Sequence, residues 1–270
     1  LAALRFVQGE IRYLGMEIGP GSHAPNPPDQ VLARRFGDCK DKTLLTVTLL
    51  DHLGIEAHPA LVNTNKRRAL EQRMPHPGQF DHVLVQAKLG GRTFWLDPTR
   101  ATQNADLAHL VQADFDLALI VDGSSKGLVS MSEDRQPAPV RLVKATFDAR
   151  GGLDKPVPFT VTTTLEGERA EAMRNTLATT SFEELQKSYL NFYAGYYNGL
   201  NIAKPMEVKD DERNNRIVTV EHYQIPEFSS WSEESRQHTA DIPTPDLDEK
   251  LRGPKSTVRT APLGDRKSVV

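Results

Sequence analysis

The chain has 270 residues, 38 % hydrophobic and 26 % charged, with 18 glycines and 18 prolines, a profile that excludes disorder as the dominant state and fits one large or two ordinary domains. Its 33 Lys and Arg against 36 Asp and Glu leave a formal charge of -3, so no general excess of cations is available to neutralise the phosphates of a nucleic acid. The single cysteine, Cys39, excludes an intramolecular disulfide and any zinc site built on a cysteine pair.

In chain order, the apolar spacing of Leu4, Val7, Ile11 and Leu14 predicts a helix, which the Gly- and Pro-rich stretch 15–28 ends. A short helix is expected over about 29–36. Gly37 breaks it, and Asp38 or Cys39 opens a third helix whose Leu44, Leu45, Val47, Leu49, Leu50 and Leu53 make it apolar on most faces, with Gly54 as its stop. Residues 56–63 alternate as a strand, and 65–77 form a charged, proline-punctuated connection. Residues 80–89 and 92–97 read as two strands around a Gly90-Gly91 turn. From 101 to 121 a helix and a short strand are expected. Beyond a turn-rich stretch at 122–139, strands are predicted at 140–147, 157–165 and 217–223, with an amphipathic helix over 182–200 that carries Tyr189, Tyr193, Tyr196, Tyr197 and Phe192 on one face. The division that follows is a core at 1–122, a linker at 123–139 and a β-rich accessory domain at 140–270. No apolar run approaches the ~20 residues of a membrane-spanning helix.

One constellation carries chemistry. The free N–H groups at a helix start stabilise a thiolate, so Cys39 at the head of a buried helix is a candidate nucleophile, with Lys40 and Lys42 as possible electrostatic support. Taken alone, a single cysteine is more often a small buried hydrophobe. The hairpin supplies the partners. A two-residue turn at Gly90-Gly91 makes paired residue numbers sum to 181, which puts Leu84 opposite Asp97 and His82 diagonal to Asp97 on one side of the sheet. A carboxylate that accepts one imidazole N–H fixes the tautomer and leaves the other ring nitrogen for a nucleophile. Cys39, His82 and Asp97 are therefore a candidate triad, with the Cys39 backbone N–H as one oxyanion donor and Gln8 or Tyr13 as a candidate second, each of which is more often a packing or surface residue.

The blocks RFGDCKDKTLLTVTLLDHLGI, FDHV and FWLDPT, together with IRYLGMEIGPG upstream, resemble the signature blocks of bacterial transglutaminase-like proteins. In that group a β-rich domain precedes the transglutaminase core and another β-containing domain follows. The resemblance covers residues 1–122, and this sequence carries no counterpart of the preceding β domain. It implies an α+β fold of papain-like or transglutaminase-like type, a central helix bearing the cysteine on an antiparallel sheet. It also implies a Cys39 nucleophile, a His82 general base and then acid, and an Asp97 that orients His82. The implied reaction is acyl transfer on a protein or peptide amide through a thioester, with hydrolysis favoured over crosslinking because no feature marks an amine-acceptor site. The extracytoplasmic setting of similar proteins is a further implication.

The alternative is a non-catalytic interaction module that keeps the fold. A metal-assisted hydrolase is disfavoured, because His23, His52, His58, His76, His109, His222 and His238 show no metal-ligand spacing; no metal and no cofactor are expected. Lys66-Arg67-Arg68 reads as a solvated loop rather than a nucleic-acid patch.

Overall fold

A computed structural model of the chain describes residues 1–15, 23–131 and 140–243. The described residues form a mixed α+β protein, divided by contact density into two units. Among the described residues, the first comprises those within Leu1–Ala145, Val161–Leu185 and Met206–Glu221; the second comprises Thr146–Thr160, Gln186–Pro205 and 222–243. Among the described residues no helix is long and apolar enough to cross a membrane.

In the first unit α1 (Ala2–Glu10) stops earlier than its apolar spacing predicts. The reason is a competing partner. The amides of Arg12 and Leu14 donate to the carbonyls of Arg35 and Gly37 at 2.9 and 3.0 Å, which pulls Arg12–Tyr13 out as β1 beside β2 (Phe36–Gly37). Between them α2 (Pro28–Arg34) starts on a proline and ends on Arg35 in the left-handed region.

Helix α3 (Cys39–His52) opens with a reciprocal cap: the Asp38 carboxylate accepts from the amides of Lys40 and Asp41, and the Asp41 carboxylate accepts from the Asp38 amide. Gly37 is required there, because a Cβ at that position would sit 2.6 Å from the Cβ of Asp41. Asp41 also takes the Arg34 guanidinium at 2.6 Å and the Asn26 amide at 2.7 Å, which ties α2 and its approach to the helix start.

The large sheet has the order β5-β4-β3-β6-β7: β3 (Glu56–Val62), β4 (His82–Leu89), β5 (Arg92–Leu96), β6 (Leu117–Ile120) and β7 (Val129–Ser130). Every pairing in it is antiparallel. Leu89 faces Arg92 and Val85 faces Leu96, the register that the Gly90-Gly91 turn dictates; both glycines have positive φ. One face of the sheet packs Val85, Ala87, Phe94 and Leu96 against Leu50 of α3 and Leu4 of α1. The other buries Ala60, Val62, Leu84, Trp95 and Ala118.

The helix expected within 101–121 is not formed; only β6 is regular there. The backbone groups of that segment are taken by tertiary partners instead: the Arg5 guanidinium donates to the carbonyls of Gln103, Asn104 and Ala105, and the Asp106 amide donates to Arg213. Residues 132–139 of the expected linker lie outside the described residues.

A four-stranded sheet follows, of order β10-β11-β9-β8, from β8 (Arg141–Phe147), β9 (Val157–Glu166), β10 (Asn201–Asp211) and β11 (Arg216–Ile225). Helices α4 (Glu168–Thr179) and α5 (Phe182–Ala194) lie between β9 and β10 in sequence. α4 and β10 have no counterpart in the sequence expectations. The tyrosine face was expected on one helix, but α5 ends at Ala194; Tyr196 and Tyr197 lie beyond it, with Phe192 and Tyr196 exposed and Tyr197 buried. A short hairpin, β12 (Ser230–Ser232) with β13 (Gln237–Thr239), closes the described chain.

Candidate active site

The three expected residues stand at the ends of elements of the first unit. Cys39 is the first residue of α3, His82 the first of β4, and Asp97 follows the last residue of β5. The Thr43 hydroxyl donates to the Val83 carbonyl at 3.1 Å, which pins the first turn of α3 to the start of β4. His82 Nε2 lies 3.0 Å from Asp97 Oδ2, and Cys39 is close enough to the ring to help hold its proton. With Nε2 taken by the carboxylate, the nitrogen left for sulfur is Nδ1. Cys39 itself is half-buried.

The carboxylate is positioned from both sides. Asp97 Oδ1 accepts from the Thr99 amide at 2.9 Å and the Thr99 hydroxyl at 2.6 Å, which leaves Oδ2 for the imidazole. The Asp97 carbonyl accepts from Gln8 Nε2 at 3.0 Å. Thr99 was not singled out from the sequence, although an Asp two residues before a Thr is a local turn signal that could have marked it.

The electrostatics follow from this wiring. Burial opposes charge on His82, but its hydrogen bond to Asp97, the proximity of Cys39 and the negative charge of both outweigh burial and push the imidazole up to about 9. Burial likewise opposes ionisation of Asp97, and the hydrogen bonds and charge of His82, with those of Thr99, outweigh it and hold the carboxyl below its ordinary value. The raised value favours the protonated ring, whose Nε2 has Asp97 as its acceptor.

The other expected contributors divide. Gln8 is not free to stabilise an oxyanion: its amide nitrogen donates to both the Asp97 carbonyl and Gln103 Oε1, and its oxygen accepts from the Gln103 amide. It is a structural strut because α1 presses it against the 97–103 segment. Tyr13 sits in β1 beside Gly37, two residues before Cys39; partial burial and then the charges of Cys39 and Asp38 push its phenol above the ordinary value. Lys40 pairs with Asp38 at 2.5 Å. Lys42 is buried and donates to the Ile11 carbonyl at 2.5 Å; burial pulls its ammonium below the ordinary value, with the Asp97 charge opposing. Neither lysine hydrogen-bonds to the sulfur in the described structure. The bonds of Lys42 and Gln8 are to residues 31 and 89 positions away, a separation that no local motif encodes.

Cys39 and His82 open on a cleft of about 1000 Å³, which residues of the 70–83 segment and residues 125–128 also line. His23 and His76 border it. Lys66-Arg67-Arg68 is partly tied down, with Arg67 on Asp116 at 2.8 Å and Lys66 on Gln79 at 2.9 Å. The chain matches none of the protein-family models, curated proteins or solved structures with which it was compared. The geometry of the site is therefore the ground on which its function is read.

Proposed function

We propose that the protein is a thiol-dependent enzyme of transglutaminase-like fold that transfers acyl groups from amides through Cys39, His82 and Asp97. The observation that carries this reading is the single imidazole hydrogen-bonded to the Asp97 carboxylate and lining one cleft with Cys39, a cysteine at a capped helix start that adds to the forces holding the ring's proton. The signature blocks read from the sequence support the same assignment.

In this reading the Cys39 thiolate attacks an amide carbonyl carbon. A carbon–sulfur bond forms, the carbonyl oxygen takes the negative charge, and the Cys39 backbone N–H and the Tyr13 hydroxyl receive it. The carbon–nitrogen bond then breaks, and the leaving amine takes the proton that His82 carries. His82, now neutral, accepts a proton from water as the water attacks the thioester; the acid departs and the thiolate–imidazolium pair is restored. Asp97 does not change protonation; it holds the ring and favours the cation.

The test is alkylation of Cys39 by iodoacetamide across pH. The wild-type rate at pH 6 is expected to stay close to its neutral value, whereas in His82→Ala it should fall about tenfold per pH unit on the acid side, as for an unassisted thiol. Equal acid limbs in the two proteins would remove the chemical basis of the proposal.

A further inference from the structure

The cleft has a floor that bears on its substrate. Leu61 of β3 pairs directly with Val83 of β4 on one side and with Leu119 of β6 on the other. Directly paired residues share a face, so these three side chains form an apolar row across three strands. That row lies on the face that α3 covers farther along, at Val85 and Ala87. Coverage ends at the first turn of α3, where Thr43 meets Val83, and all three residues line the cleft. Val83 is buried, at 5 % exposure, so the open part of the row is Leu61 and Leu119, which are half-buried, whereas their strand neighbours Ala60, Val62 and Ala118 are 0 % exposed. Val83 follows His82 in β4 and so points to the opposite face; what joins Leu61 and Leu119 to the reactive pair is the cleft that they line together with Cys39 and His82. Leu70, Phe80 and Leu128 line the same cleft.

We infer that this floor receives the acyl part of the substrate, and that the preferred acyl residue carries a bulky aliphatic or aromatic side chain. This inference rests on the acyl-transfer reading of Cys39 and His82. The carbonyl must sit over the sulfur for attack, and the side chain beside it then enters the cleft whose lining includes Leu61 and Leu119. No polar side chain stands in the row itself, so a carboxylate or carboxamide placed there would lose its water without a partner from these three positions. Burying a leucine-sized group there favours it over a carboxylate by about thirtyfold in rate.

The experiment uses covalent probes rather than an unidentified substrate. N-acetyl-leucyl and N-acetyl-aspartyl chloromethyl ketones each form a carbon–sulfur bond to Cys39 with loss of chloride, and their rates on the whole chain are compared after division by their rates with a free thiol. The leucyl reagent is expected to be faster by about thirtyfold. In Leu119→Ser the ratio should fall several-fold while the iodoacetamide rate stays unchanged. Leu128→Asp, outside the strand row, should lower the ratio in the same way and carries the test if the strand substitution fails to fold. A wild-type ratio near one, or a faster aspartyl reagent, with the His82-dependent acid limb of iodoacetamide intact, overturns the apolar subsite and leaves the chemistry standing. Loss of that acid limb overturns both.

Discussion

The start of α3 and the aromatic cluster of the second unit are held by opposite kinds of force. At Gly37–Thr43 the contacts are directional and mostly polar: Asp38, Asp41, Lys42 and Thr43 are buried, and each has a named hydrogen-bond partner. In the cluster, Phe159 stacks on Phe147 at 4.6 Å and meets Tyr193, Tyr197 and Tyr223 at 5.2 to 5.8 Å. Ring packing dominates there, to the point that the buried Tyr197 hydroxyl has no hydrogen-bond partner among the described residues. Directional bonds fix the angle between reacting groups, which chemistry needs. Area burial supplies stability and tolerates a missing bond.

Substitutions at the two places should therefore fail in different observables. The largest effect is expected at Asp97→Asn. The amide would favour the wrong tautomer and remove the carboxylate charge, lowering turnover by about 10²–10⁴-fold. His82 has an ordinary value of 6.5 and is held at about 9, so the stability drawn from its cation is complete below pH 6.5 and is lost as pH rises through 9. In the variant the alkaline edge of this loss should move down, which a series of urea melts between pH 6 and 10 would record. An unmoved edge would mean that the carboxylate is not what supports the cation.

Phe159→Ala comes next, costing about 3–5 kcal/mol of stability through lost packing. Iodoacetamide labelling of Cys39 in the folded fraction should be unchanged, and an altered labelling rate would break the separation drawn here. Asp38→Ala is smaller, about 1 kcal/mol for the lost helix cap, but it should also change the labelling rate, since the cap orients the helix start that carries Cys39. The smallest effect belongs to Tyr197→Phe. Burial and then the charge of Asp241 push this phenol up to about 12, and removing a hydroxyl with no partner is expected to leave stability level or raise it by about 1 kcal/mol in calorimetry. A marked loss would reveal a bond that the described residues do not provide.

The readable parts of the site are those whose partners are close in sequence. The cap of α3 spans three residues, and the β4–β5 register follows from two glycines, so the helix start and the His82–Asp97 contact were both open to arithmetic. The candidate oxyanion donors were less so. Gln8 and Tyr13 looked equivalent in the sequence, and only the segment at 97–103 packing on α1 engaged the first and left the second beside Cys39. The helix expected within 101–121 failed for the same reason, since Arg5 takes three of its carbonyls from about a hundred residues away.

By itself the sequence determined the capped helix that presents Cys39, the hairpin that aligns His82 with Asp97, and the α+β alternation of the first unit, because capping, turn geometry and periodicity act over a few residues. Tertiary structure alone decided the rest. It set where α1 stops, it turned Lys42 and Gln8 into buried struts, and it left Leu61 and Leu119 half-buried in the cleft that Cys39 and His82 line. Each of these depends on which distant group arrives to satisfy a buried donor or to cover an apolar face, and distance along the chain carries no record of that.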